Sequence, residues 1–133
     1  MKPLVLAVAL TLPMVVAACD SSVKAPYDAG VCFLVEQPAN GGKPAFHPIA
    51  DHQGQIEMCA ARLEENRVRF LQMGGSRREV VGAYQGRYLF VDRAGVSFAQ
   101  TLEGNRFMAL ARTGDGRLAV PGAIPRAPEP PAP

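Results

Sequence analysis

Glu79-Val80-Val81-Gly82-Ala83-Tyr84-Gln85-Gly86-Arg87-Tyr88-Leu89-Phe90-Val91-Asp92-Arg93-Ala94-Gly95-Val96-Ser97-Phe98-Ala99-Gln100-Thr101 is the stretch on which the fold turns. It holds three short runs rich in Val, Tyr, Phe, Leu and Ala, at 79–84, 87–92 and 96–101, parted by Gln85-Gly86 and by Asp92-Arg93-Ala94-Gly95. Short glycine-bearing turns between β-forming runs join antiparallel neighbours, because so tight a connection cannot carry the chain across to a parallel strand. The pattern continues through Glu103-Gly104-Asn105 to a run at 106–112, and through Gly114-Asp115-Gly116 to a run at 117–120. This spacing predicts a β-meander. The runs 87–92 and 107–111 are apolar at successive positions, which predicts central strands covered on both faces by the helix, by sheet curvature, by the first strand or by a partner.

Upstream, Val31-Cys32-Phe33-Leu34-Val35-Glu36 reads as a first strand, and 37–48, carrying Pro38, Gly41, Gly42, Pro44 and Pro48, as a loop. Asp51 is the expected cap of a helix, since a carboxylate there accepts from free backbone N–H groups. Ile56, Cys59, Ala60 and Leu63 recur at helical spacing, with Glu57, Arg62, Glu64, Glu65 and Arg67 largely outside that stripe. Val68, Phe70 and Leu71 fit either a continued helix or the start of a strand, and Gly74-Gly75-Ser76 ends whichever it is. The predicted fold class is α+β, one helix packed on a small antiparallel β-meander of about five to six strands.

The N-terminus carries a different message. Lys2 precedes an apolar run from Leu4 to Ala18, shorter than the ~20 residues of a membrane-spanning helix. It closes on Val16-Ala17-Ala18-Cys19, followed by polar Asp20-Ser21-Ser22. A basic start, a short apolar middle and small residues before the end form a secretory signal. Val-Ala-Ala-Cys resembles the lipobox of bacterial lipoproteins, which are lipidated on the cysteine and cleaved just before it. The resemblance implies a signal peptide at 1–18, lipidation (palmitate among the acyl chains) at Cys19 and attachment to the cell membrane on its periplasmic side; the polar, turn-rich run that follows reads as a tether to residue 30, and the strand and helix runs as one globular domain at 31–120. More than one acyl chain is what makes such an anchor durable. Asp20 resembles the residue that retains enterobacterial lipoproteins in the inner membrane and favours that location over the outer membrane. The stretch at 121–133 holds six prolines in thirteen residues and reads as an extended or disordered tail.

Cleavage before Cys19 removes Lys2 and leaves 13 basic against 12 acidic side chains. That balance argues against a nucleic-acid partner, which calls for a strongly basic patch. Three cysteines are an odd number for a secreted chain. With Cys19 assigned to lipid, Cys32 and Cys59 remain as a pair suited to a disulfide in an oxidising envelope; free structural thiols, or a redox or metal pair, are the alternatives. Catalytic dithiols prefer Cys-x-x-Cys spacing, and zinc sites need further ligands.

Chemistry is sparse in the remaining residues. His47 and His52 are the only histidines. They lie off any common helical face, with Pro48 between them, and form no metal-binding motif. Ser76 and Ser97 lack the Gly-x-Ser-x-Gly elbow of a hydrolase. No metal, cofactor or small-molecule substrate is indicated. Met73-Gly74-Gly75-Ser76-Arg77-Arg78 is the most suggestive polar loop: its glycine N–H groups could approach an anion, and Arg77 and Arg78 could clamp the anion or a partner. The stretch from Tyr84 to Gly95 resembles the Gly-turned aromatic hairpin of the membrane-bound C-type lysozyme inhibitors, themselves small periplasmic lipoproteins with a disulfide. Their tryptophan-bearing segment is replaced here by Val91-Asp92-Arg93-Ala94-Gly95, so no inhibitory residue carries over. The expected function is that of a non-enzymatic envelope lipoprotein, an accessory or protein-interaction subunit. The alternative is a periplasmic inhibitor of a cell-wall hydrolase such as lysozyme; an enzyme would need a polar pocket around His47, His52 or a free Cys59.

Overall fold

The structure is a computed structural model that describes residues 22–113 and 117–120. The signal at 1–18, Cys19, Asp20, the Gly114-Asp115-Gly116 turn and the proline-rich stretch at 121–133 lie outside the described residues. The elements are β1 (Cys32–Glu36), β2 (Ala45–Ala50), α1 (Ile56–Gln72), β3 (Val80–Tyr84), β4 (Arg87–Val91), β5 (Gly95–Ala99), β6 (Phe107–Arg112) and β7 (Leu118–Ala119). All seven strands form one antiparallel sheet in the order β2-β1-β3-β4-β5-β6-β7. The α+β meander with a single helix therefore stands, with one strand more than the sequence led us to expect.

The added strand is β2, taken from the stretch expected as loop. Pro48 is accommodated because β2 lies at the sheet's edge, where only one side is laddered and a residue without an N–H breaks no central pairing. The register slips between Cys32 and Phe33, so Ile49 of β2 has no opposite number. The true loop is shorter, 37–44, and holds the remaining prolines and glycines.

The centre of the sheet is β4, with Tyr88, Leu89, Phe90 and Val91 all buried. Its alternation feeds two cores. Leu89 and Val91 join Cys32, Cys59, Ala60, Leu63, Tyr84, Val96 and Leu110 under the helix. Tyr88 and Phe90 join Phe33, Val35, Ala83, Ala99 and Ala25 on the opposite face. That second face is covered by the sheet's own curl, which brings Phe46 of β2 to 6.3 Å, centroid to centroid, from Tyr88 of β4. The N-terminal segment completes the cover. Tyr88 Oη donates to the Val23 carbonyl at 2.7 Å, and Gly86 N–H donates to Pro26 O at 2.9 Å. The described part of the expected tether, 22–30, is thus packed on the domain. Strand β6 does not share the centrality expected of it: it lies next to the β7 edge, with Phe107 and Met108 exposed.

Asp51 does not cap α1. The N-cap is Gln55, without a side-chain cap bond, and Asp51 stands exposed beside His52 at 3.2 Å. Residues between them serve a different purpose: Gln53 is buried, its N–H donates to Gly30 O, its Nε2 to Asp51 O, and its carbonyl accepts from Tyr84 Oη at 2.5 Å. Val68, Phe70 and Leu71 belong to the helix. A disulfide joins Cys32 of β1 to Cys59 of α1 with Cα atoms 5.3 Å apart, both residues fully buried. Closing the 27-residue separation stabilises the fold by about 3.5 kcal/mol on the chain-entropy model.

Candidate docking groove

Helix α1 buries only a narrow stripe, namely Cys59, Ala60, Leu63 and Arg67. Past Arg67 the side chains of Val68, Phe70 and Leu71 are left exposed, with Met73 at 73 % exposure just beyond. The helix ends in a left-handed Gly74, from which Gly74 N–H donates back to Leu71 O and Gly75 N–H to Phe70 O. This paired arrangement satisfies the last carbonyls of the helix. The ring of Phe70 folds over Gly75, filling the space a Cβ would take there.

The result is a groove between the last turns of α1 and strands β1 and β3. Its floor is the side chains of Leu34 and Val80 with the adjoining β1 and β3 backbone, and one wall is Phe70 and Met73. Its volume is about 660 Å³. Arg69 and Arg77 stand at its rim together with Glu36 and Glu79. Both acids already have partners: Glu36 is 3.2 Å from His47 Nε2, and Glu79 receives Arg106 at 2.7 Å. Arg106 also stacks on Phe90, 3.6 Å from the ring centroid. The guanidinium groups of Arg69 and Arg77 have no ion pair or hydrogen bond among the described residues.

The sequence-expected anion loop is rearranged by these facts. The two glycine N–H groups are spent on the helix carbonyls and cannot also hold an anion. Arg77 and Arg78 do not converge either: Arg77 lines the groove, whereas Arg78 lines a separate shallow hollow with Glu79, Asp92, Arg93 and Ala94. Arg69 is not singled out by the sequence, and Phe70 and Met73 are read there only as a continuation of the helix or a strand and as part of the polar loop. The signal for them was apolar residues at 68, 70, 71 and 73 in excess of one helical stripe.

The other candidates are dispersed. His47 sits on the edge strand against Glu36, and His52, with a left-handed φ of 53°, sits in the loop after it. Asp51 is held below the usual carboxylate range, first by a hydrogen bond from His52 and then by its charge. Cys59 is not a free thiol. Ser76 is in the exposed loop and Ser97 half-buried on β5. Among the described residues no three His, Cys, Asp or Glu side chains are grouped to hold a metal ion, and no helix is long and apolar enough to cross a membrane.

The most developed ionic cluster is Glu64, which takes Arg67 through both oxygens at 2.7 and 2.9 Å and Arg112 at 3.1 Å. Arg112 also donates to the carbonyls of Asp92 and Arg93, so the cluster ties α1 to β6 and to the β4–β5 turn. Burial pushes the Glu64 carboxyl up, but the hydrogen bonds and charges of Arg67 and Arg112 outweigh it and leave it below its ordinary value. Both of its oxygens are occupied by structural partners. The hairpin that resembles the lysozyme inhibitors is formed, but its Gln85-Gly86 turn is backed by Tyr27 and Pro26.

No protein-family model matches this sequence, and neither the curated proteins nor the solved structures give a significant match.

Proposed function

We propose that the protein is a lipid-anchored lipoprotein of the bacterial envelope, held at the membrane through Cys19, that works as a non-catalytic binding module and accessory subunit. The observation that carries the binding half of this reading is the groove: apolar side chains left uncovered at the end of α1, flanked by two arginines that form no ion pair among the described residues. Isolated exposed apolar residues are ordinary, but a contiguous patch in a concave surface marks an interaction site. The anchoring half rests on Val16-Ala17-Ala18-Cys19 and on the apolar run before it.

Two measurements test the reading separately. Cells fed a radiolabelled or clickable palmitate analogue should label the wild type and leave Cys19→Ser unlabelled and unprocessed; equal labelling of both refutes the anchor. A photoreactive amino acid at Met73 should give a discrete crosslinked product in the envelope, while the same group at Met58, exposed on the far end of the helix, should not. Absence of any product specific to position 73 refutes the groove as a docking surface. A cell-wall lysis assay with lysozyme distinguishes the inhibitor: inhibition that survives Met73→Ser would transfer the activity to another surface.

A further inference from the structure

We infer that the groove takes an acidic, amphipathic peptide segment of a protein partner: one or two large apolar side chains set into the Leu34–Val80–Phe70–Met73 surface, flanked by carboxylates that pair with Arg69 and Arg77. The inference rests on the binding-module reading and gives its partner a chemistry.

Three observations favour this occupant. The first is charge. Glu79 is paired with Arg106 and Glu36 is hydrogen-bonded to His47, so neither acid is spent on Arg69 or Arg77, and the rim with Arg106 carries three guanidinium groups against two carboxylates. A basic partner would meet them unfavourably, and a neutral one would desolvate them without recompense. The second is the nature of the walls. Met73 has three rotatable bonds and a polarisable sulfur, and Phe70 lies over a glycine with no side chain of its own to hold it; such walls re-pack around apolar side chains of differing shape.

The third observation separates a peptide from a free amphiphile such as a fatty acid. Pockets for small ligands cover most of the ligand's surface. Here Met73 is 73 % exposed and Phe70 38 % exposed, so the wall stands open to solvent. An acyl chain laid in the groove would stay half in water. A peptide belonging to a folded partner brings its own cover, and its neighbouring residues close the open side.

The test uses the full chain reconstituted through its own lipid in phosphatidylcholine nanodiscs, a zwitterionic surface that does not compete for the arginines. A fluorescein-labelled peptide, Asp-Asp-Leu-Phe-Asp-Leu-Leu-Asp-Asp, is titrated and its anisotropy followed. Saturable binding is expected, at least tenfold weaker to Arg69→Ser/Arg77→Ser and to Met73→Ser, unchanged for Arg62→Ser outside the groove, and absent when Lys replaces every Asp of the peptide. Circular dichroism checks that each variant is folded. Binding indifferent to the groove variants, binding equal to that of empty nanodiscs, or no saturation overturns the inference. So does displacement by dodecanoate at lower concentration than by the unlabelled peptide, which would make the groove an amphiphile site. A failed titration alongside a retained crosslink from position 73 would remove the acidic-peptide chemistry and leave the binding module standing.

Discussion

At the scale of single residues, the β3–β4 turn shows how a local preference is overridden. Gln85 takes a φ of 43° and Gly86 a φ of 80°, the pair of left-handed residues that a two-residue hairpin demands. Glycine takes this conformation freely, but a side chain such as glutamine crowds its own carbonyl there, at a cost of about 1–2 kcal/mol. Asparagine is tolerated far better, so Gln85→Asn should raise stability by about 0.5–1 kcal/mol, read as a higher denaturant midpoint at unchanged slope. Tyr84, at the same turn, donates to the buried Gln53 carbonyl. Tyr84→Phe would leave that carbonyl without this donor, and the expected loss is about 1 kcal/mol in the same measurement. Neither partner was visible in the sequence. A tyrosine at a strand end announces packing, but the loop carbonyl that meets its hydroxyl, 31 residues away, is chosen by the tertiary fold.

At the scale of elements, the seating of α1 on the sheet depends on Gly82. A Cβ at this position would press into the Leu63 methyl groups and the Phe33 carbonyl oxygen. Gly82→Ala should therefore push the helix outward and cost about 2 kcal/mol, typical of overpacking, with a lower thermal midpoint as the readout. The other determinant of helix seating is the Glu64–Arg67–Arg112 cluster. Because the folded carboxyl of Glu64 is lowered from 4.5, its contribution is present in full at neutral pH and is lost as pH falls through the lowered folded value. Glu64→Gln should destabilise the protein by about 2 kcal/mol at pH 7. The gap in midpoint from the wild type should narrow on acidification below 4.5, and a gap that is constant across that range would contradict the assignment. The strands of the meander were readable because each run is bounded by turn chemistry and short enough to be nothing else. Strand β2 was not readable, since its proline argues against a strand unless one already knows that it lies at the edge. The helix start was misread for a related reason: Asp51 has the right side chain for a cap, but the chain needs the next four residues to bury Gln53 before it can turn helical. As for the groove, the sequence singled out Arg77 but paired it with Arg78, its neighbour in the chain, whereas the arginine that shares its groove is Arg69, at the end of the helix.

At the scale of the whole molecule, the disulfide joins the first strand of the core to the helix and so links two of the three elements that frame the groove. Cys32→Ala/Cys59→Ala should lower stability by about 3.5 kcal/mol, enough to unfold a domain of this size in part at growth temperature, and adding a reductant should have no further effect on the variant. The N-terminal segment is the second device acting on the molecule as a whole. Tyr88→Phe removes the hydroxyl that holds the Val23 carbonyl; the segment at 22–30 should then be cut by protease faster than in the wild type, with the domain intact, and an unchanged rate would mean that Pro26 and Ala25 hold it alone. This docking has a mechanical consequence. Val23 comes four positions after Cys19, and a fully extended chain spans at most ~3.6 Å per residue, so a lipid on Cys19 would hold Val23, where the chain docks on the domain, within about 14 Å of the bilayer surface. A module on so short a leash would patrol one plane. A partner that presents the acidic segment just outside its own membrane helix, or on a subunit pressed against the same leaflet, would lie within its reach.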